Sequence, residues 1–489
     1  MKGVEESKPA GEVLEGSALN LQGKRVTVVG LGRSGVGAAN LLSRLGACVT
    51  VTDRKGAREL ADQVVMLIPG IRTALGSHPP ELFENTDLIV VSPGVPSDAA
   101  PLKVAVDAGV RVIGELELAY QAVMGQGAGT AFLAVTGTNG KSTTTSLLYE
   151  IVRASGFSTL VGGNIGNALT GELFAMDLEK EIDYIVTEVS SFQLELTDAF
   201  RPKGAALLNI TPDHLDRYQS LDEYAEAKCR IFLNQADGDY LVLNGDDPYL
   251  GESVGRRLAG RPGGPELFFF SRLREVEGAY CRNGVISFRI SPERMRRVNP
   301  GGGVTDLDIP VSSLRIKGVH NIENAMAAGL IALLAGCSRE SVIDTFRAFP
   351  GLEHRLEFVR EVGGVTFVND SKGTNVGAVI KSLESFDEPI ILIAGGRDKH
   401  GEFSVLAPLV KQRVKAAVLI GEARESIARA LGGVTRCFME DDLPAAVRRS
   451  RDVASPGDVV LLSPACASFD MFRDFEDRGR QFKKFVGDL

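Results

Sequence analysis

Short apolar runs, each closed by a turn rich in glycine, serine or aspartate, alternate along this chain with longer stretches of helical periodicity. A buried parallel strand reads as a continuous apolar run because both faces are covered, and a helix then carries the chain back. The first such unit predicts a strand over 25–29, the turn Gly30-Leu-Gly-Arg-Ser-Gly35, a helix to about 45, and a strand over 48–52 that ends at Asp53. Further strands are predicted over 87–91, 132–135, 184–188, 204–209 and 239–243. A last group is predicted over 366–369, 390–394, 416–420 and 459–462, and an Ala/Leu-rich helix over 321–335. Between about 260 and 310 the pattern turns irregular and rich in Arg, Gly and Pro, which suggests a small antiparallel excursion.

At 489 residues the chain is too long for one core. A net charge of -9 leaves no basic surplus for a general nucleic-acid binder, although small anions need only local positive charge. Six cysteines are scattered without a C-x-x-C pair, as expected of reduced thiols in a cytoplasm. Residues 1–20 read as a flexible leader without the apolar core of a signal peptide, and no run reaches the roughly 20 residues of a membrane span. A cytoplasmic monomer is the expectation.

Two turns change the picture from architecture to chemistry. Gly30 to Gly35 is a full G-x-G-x-x-G fingerprint, with acidic Asp53 about 20 positions on. Phe132-Leu-Ala-Val-Thr-Gly-Thr-Asn-Gly-Lys-Ser-Thr143 passes from a strand through glycines into a helix. Such a turn aims backbone N–H groups at an anion; Lys141 adds a charge and Ser142 a hydroxyl for magnesium. That set fits the phosphates of a nucleoside triphosphate, and ATP is expected. The chain is therefore read as α/β with three domains: an N-terminal Rossmann-like domain over 21–127, a central P-loop ATPase-like parallel sheet over 128–350, and a C-terminal Rossmann-like domain over 351–489.

Other candidates cluster at strand ends. Glu188 can hold a hard magnesium ion that bridges phosphates. His214, between Asp213 and Asp216, suits a metal ligand or a charged hydrogen-bond network. Lys228, on spacing alone, reads as an exposed lysine on a helix. Asn321 and Asn324 share a face near the start of the Ala-rich helix, and Arg355 stands where it can reach phosphate oxygens. The segments 368–375, 395–399 and 463–470 each follow a strand with mixed charges and hydroxyls, so all three should converge at the carboxyl edge of one sheet.

Together these motifs resemble the Mur ligase family of peptidoglycan synthesis, from about residue 25 to the C-terminus. Thr136 to Thr143 looks like the family's own phosphate loop, in which the first glycine falls at 137 rather than at 135. Gly162-Gly-Asn-Ile-Gly166, Asn209 to Tyr218 and Leu462-Ser-Pro-Ala-Cys-Ala-Ser468 look like its D-glutamate-adding branch.

The resemblance implies an ATP-dependent ligase that joins D-glutamate to UDP-N-acetylmuramoyl-L-alanine through an acyl phosphate. It implies that Gly137, Thr138, Asn139, Gly140, Lys141, Ser142 and Thr143 hold the phosphates, that Asn321 and Asn324 meet the purine, and that Asp370 meets the ribose. It implies that Lys228 is carbamylated by CO2 and helps His214 bind a second magnesium ion, while Ser142 and Glu188 hold the first. His214 as a base would compete with that role. Lys372, Thr374, Lys399, Ser468 and Phe469 fall where the family binds D-glutamate; Ser34, Asp53, Arg54, Gly94 and Asn164 fall where it binds the uridine diphosphate. Arg54 departs from a small hydroxyl residue in the relatives. Three alternatives remain open at this point: a sister ligase of the same family that uses another amino acid, a nicotinamide-dependent oxidoreductase, suggested by Gly30 to Gly35 with Asp53, and a nucleotide-binding regulator without catalysis.

Overall fold

The computed structural model describes residues 20–127, 129–176, 180–214, 217–258, 263–398 and 401–489. The leader, apart from Asn20, and the candidate Lys399 lie outside the described residues.

Three sheets organise the chain. The first has the order Arg72–Leu75, Cys48–Asp53, Arg25–Val29, Leu88–Val91, Arg111–Gly114, all parallel. The reversal of strand order beside Arg25–Val29 makes the crevice at its carboxyl edge the place where a ligand can enter. Gly30 and Gly35 close that turn tightly: a Cβ on Gly35 would lie 1.9 Å from the Gly30 carbonyl oxygen. The second sheet runs Asp306–Pro310, Val285–Arg289, Gly278–Arg282, Glu266–Ser271, Tyr240–Asn244, Gly204–Leu207, Ala131–Thr136, Tyr184–Glu188, Thr159–Gly163. Its first three strands pair antiparallel, which is the excursion expected over 260–310.

The third sheet runs Glu357–Val362, Val365–Asn369, Val459–Leu462, Ile390–Gly395, Val414–Ile420, Arg436–Met439, parallel except for its antiparallel first strand. Leu392, Leu419 and Leu461 pack into a cluster on one face; Ile391, Val418 and Val460 pack into another on the opposite face. Burial on both faces is why these strands read as unbroken apolar runs. The adjacent strands ending at Asn369, Leu462 and Gly395 bring the three strand-end segments to one sheet edge, as expected.

Compactness divides the chain into two units rather than along the sheets. One unit comprises the residues up to Ala131 with Gly162–Ile185 and Phe192–Phe200; the other comprises Phe132–Val161, Val186–Ser191 and Arg201–Leu489. Two buried glutamates on helix Glu115–Met124 knit the first unit together. Glu115 Oε1 accepts from the Thr170 backbone N–H and hydroxyl, both at 2.7 Å. Glu117 accepts from the backbone N–H groups of Asp198, Ala199 and Phe200 at 2.9–3.0 Å.

Candidate nucleotide and ligase site

Strand Ala131–Thr136 delivers the glycine-rich turn, and helix Lys141–Ala154 starts at once behind it. Gly140 occupies the N-cap at φ +86°, and no side chain caps the helix. The residues that follow, Lys141, Ser142 and Thr143, therefore present the helix's positive end toward an anion. The neighbouring chain clamps the turn from outside. Asn209 Oδ1 accepts from the Asn139 N–H at 2.8 Å while its Nδ2 donates to the Asn139 carbonyl at 3.1 Å. Thr138 donates its N–H to the Asn209 carbonyl and its hydroxyl to that of Thr211.

Two amines meet on this turn. Lys141 Nζ donates to the carbonyls of Gly137 at 2.9 Å and Thr138 at 2.8 Å. Lys228 Nζ donates to the same Gly137 carbonyl at 2.9 Å and lies 4.4 Å from the Tyr224 ring centroid. Lys228 is 1% exposed, which corrects the surface reading drawn from its helical spacing. Helix Leu221–Cys229 buries Tyr224, Ala225, Ala227, Lys228 and Cys229 and leaves Asp222, Glu223 and Glu226 to face water. Burial, then the Lys141 charge, holds the Lys228 pKa well below its ordinary value against the opposing pull of Asp213 and Glu188. Burial also lowers Lys141, with Arg355 adding to the effect and Glu188 and Asp213 opposing it.

Glu188 ends its strand buried at 2% exposure. His214 stands half-buried in a left-handed backbone conformation, φ 56°, its N–H on the Asp213 carboxylate. Asp213 in turn accepts from Asn375 Nδ2 at 3.1 Å. The donor set suits magnesium in part: the Ser142 hydroxyl and the Glu188 carboxylate are hard oxygen ligands. Lys228 as an amine is not such a ligand; only a carbamate would give it oxygens.

Residues beyond 350 complete the same unit. Arg355 Nη2 donates to Ser142 Oγ at 2.9 Å, tying the connection after Pro350 to the phosphate loop. Lys372 Nζ lies 3.7 Å from the centroid of the Phe475 ring, and burial lowers its pKa to about 8. Arg355 and Lys141 add to that shift, while Glu188 and Glu476 oppose it. Glu188 opposes the lowering of pKa at Lys141, Lys228, Arg355 and Lys372 alike.

Asp370 is buried, with Oδ2 accepting from Ser382 and Ser463 and Oδ1 from the Leu356 N–H; burial raises its pKa to about 6. Thr374 is half-buried, Ser468 buried and Phe469 63% exposed. Asn321 and Asn324 are buried against the loop: Asn324 Nδ2 donates to Asn321 Oδ1, and its Oδ1 accepts from Thr144 at 3.2 Å. They brace the start of helix Lys141–Ala154.

In the other unit, a cavity of about 150 Å³ opens beside Gly30, Asp53, Arg54 and Gly94. Asp53 spends its oxygens on the N–H groups of Leu31 at 2.7 Å and Lys55 at 2.8 Å. Ser34 is half-buried on the first turn of its helix, and Asn164 is exposed after strand Thr159–Gly163. Tyr224, Phe475, Asn209 and His78 were not singled out by sequence reasoning. Tyr224 lies four residues before Lys228 on one helix, a spacing that points to it; Asn209 stands in a motif already noted, and Phe475 opens the last helix, Phe475–Gly487.

A lysine-bearing loop between strand and helix, a buried strand-end carboxylate and converging cations define a nucleotide-dependent, phosphate-handling class of protein. Comparison with known proteins narrows this. Family profiles match three consecutive stretches: the Mur ligase MurD-like N-terminal domain over 24–114, the Mur ligase middle domain over 135–332, and the Mur ligase glutamate ligase domain over 354–466. The UDP-N-acetylmuramoylalanine–D-glutamate ligase of Geotalea uraniireducens is 48% identical over 473 residues, 96% of this chain and 99% of that one. The protein of the same name from Geobacter sp. is 46% identical over 470 residues, 96% of this chain and 98% of its own. The chain belongs to the Mur ligase family. The crystal structure of a MurF ligase from Thermotoga maritima in complex with ADP shares the fold, with a TM-score of 0.60 at 16% identity over 97% of each chain.

Proposed function

We propose that this chain is the ATP-dependent ligase that joins D-glutamate to UDP-N-acetylmuramoyl-L-alanine in peptidoglycan precursor synthesis, acting as a cytoplasmic monomer. The observation that carries the chemistry is the convergence of Lys141 and Lys228 on the Gly137 carbonyl, with Arg355 on Ser142, at one phosphate loop. The acceptor choice is supported by the names of the near-full-length relatives. ATP is further supported by the ADP bound to the Thermotoga maritima relative. No helix among the described residues is long and apolar enough to cross a membrane.

A carboxylate approaching a triphosphate is opposed by charge, so the cations act first. Lys141 leaves its loop carbonyls for the phosphates, and Arg355 beside Ser142 offsets charge on the transferring group. The substrate's alanyl carboxylate oxygen bonds to the γ-phosphorus as the bond to the β-phosphate oxygen breaks, giving an acyl phosphate and ADP. D-glutamate, having lost its amine proton, then attacks the acyl carbon, and phosphate leaves with the C–O electron pair. Lys372, Thr374, Lys399, Ser468 and Phe469 hold the amino acid; Lys372 supplies positive charge to a carboxylate.

Magnesium ions, two in this reading, draw electron density from the phosphate oxygens when bound. Ser142 and Glu188 would hold one, and His214 with Lys228 would hold the other if Lys228 is a carbamate. The low pKa of Lys228 supports that step, because only the neutral amine adds to CO2. Asn321, Asn324 and Asp370 are assigned to the nucleoside, and Ser34, Asp53, Arg54, Gly94 and Asn164 to the uridine diphosphate. The working division is substrate binding over 21–127, ATP over 128–350, and ATP with D-glutamate over 351–489.

The test is phosphate release and product mass with ATP, magnesium and UDP-N-acetylmuramoyl-L-alanine, offering D-glutamate, L-glutamate, L-alanine and glycine separately. A product heavier by one glutamyl residue with D-glutamate alone is expected. Turnover with another amino acid would keep the family and overturn the acceptor; binding of ATP with no turnover would favour a regulator.

A further inference from the structure

The cavity near Gly30 has an apolar wall that includes Phe83, Pro96 and Leu102 and one polar group of three, Asp53, Arg54 and His78. Apolar faces with a polar edge suit a flat heterocycle. Asp53 is already bonded to two backbone N–H groups. His78 has its orientation fixed from behind by Thr52, which is fully buried.

The Thr52 hydroxyl has one proton and lies 3.0 Å from both the Ser77 carbonyl and His78 Nδ1. The carbonyl can only accept, so both contacts are hydrogen bonds at once only when that proton goes to Ser77. The contact with the ring is then a bond only if Nδ1 carries a hydrogen and donates. In the neutral ring Nε2 therefore keeps its lone pair. Phe83 meets the imidazole edge-on at 6.1 Å and 85°, which further limits its rotation.

We propose that His78 is a specificity-determining residue that reads the base edge of a uridine nucleotide, accepting the imide N–H of uracil at Nε2. This rests on the reading that the substrate carries uridine diphosphate. Uracil presents N3–H at the centre of its edge, whereas cytosine presents an N3 lone pair that would face the lone pair of Nε2. The charged groups facing the ring are Arg54, which with burial keeps it neutral near pH 7, and Asp53, which opposes them.

UDP and CDP share sugar and diphosphate, so their affinity ratio reports the base alone. Titration calorimetry on the full chain should give UDP about tenfold or more tighter than CDP, since the bound cytosine would set its N3 lone pair against that of Nε2 and leave both without a partner. His78→Leu should bring that ratio close to one with ATP affinity unchanged, and His78→Gln, which keeps an acceptor, should restore much of it. The UDP preference of the wild type should also shrink as acid protonates Nε2, and that pH dependence should be absent from His78→Leu. An unchanged ratio in His78→Leu, or acid tightening UDP and CDP equally, would overturn the assignment; the latter would put His78 on the diphosphate. Failure of the wild type to bind UDP at all would instead sink the substrate reading, and this inference with it.

Discussion

Lys228 and Lys141 direct their amines at the same Gly137 carbonyl, and one oxygen can accept from both without offsetting two charges. Burial and the neighbouring Lys141 charge lower the pKa of the deeper amine, Lys228, the direction that the proposed reaction with CO2 requires. Lys228→Ala should lose about a hundredfold or more in turnover and regain part of it with short free carboxylates that occupy the carbamate's place. Full activity without rescue would remove the carbamate from the mechanism. Lys372 gives a second residue-scale expectation. Its cation is lost as pH rises through about 8, so KM for D-glutamate should climb above that pH. The amine of D-glutamate is deprotonated by the same change, so kcat should not fall with it. Lys372→Gln should show a high, pH-independent KM; a wild-type KM that stays flat across pH 8 would mean that Lys372 does not bind the amino acid. Residue roles of this kind were only half legible. Lys141 opens a helix behind a glycine turn and Glu188 ends a strand, places where their chemistry is visible, whereas nothing local marks Lys228 as buried, because its partner Gly137 lies 91 residues away.

Among elements, the clearest were those whose surroundings impose one pattern. Ile390–Gly395 and Val459–Leu462 are buried on both faces and spell continuous apolar runs. Glu357–Val362 and Arg72–Leu75 carry no such run and escape a sequence-based expectation. Both are edge strands with polar, partly exposed sequences, and Glu357–Val362 also breaks its alternation at an irregularity between Phe358 and Arg360. The phosphate loop was legible because its glycine has a backbone reason. Gly140 sits at φ +86°, and a Cβ there would lie 2.4 Å from Asn324 Oδ1. Gly140→Ala should therefore cost about 1–2 kcal/mol in backbone strain alone and push Asn324 from its brace on Thr144. The expected result is a lower unfolding temperature together with an ATP affinity reduced beyond what that temperature shift explains. Intact ATP affinity would show that the brace does not shape the loop.

For the whole molecule, sequence order and compactness part company. The chain passes between its two units five times, after Ala131, Val161, Ile185, Ser191 and Phe200. Apolar periodicity cannot reveal this, since it reports which residues are buried and not which distant segments bury them. The link is instead a pair of ordinary-looking glutamates in Glu115-Leu-Glu117. The backbone donors to Glu117 lie 81 to 83 residues onward, and those to Glu115 lie 55. A fragment covering 21–127 contains the whole five-stranded sheet yet leaves both carboxylates without these partners and strips the cover from helix Arg33–Arg44, which packs on Leu169–Ala175. Each buried charged group deprived of its donors costs about 1–3 kcal/mol or more, a large share of a small domain's stability. The fragment should therefore show a broad, low-temperature unfolding transition and weak UDP binding. In the full chain, Glu117→Ala should speed hydrogen exchange at Asp198, Ala199 and Phe200 before it affects the amides of helix Lys141–Ala154. A fragment that unfolds sharply and binds UDP like the full chain would show that the five-stranded sheet needs neither glutamate's distant partners.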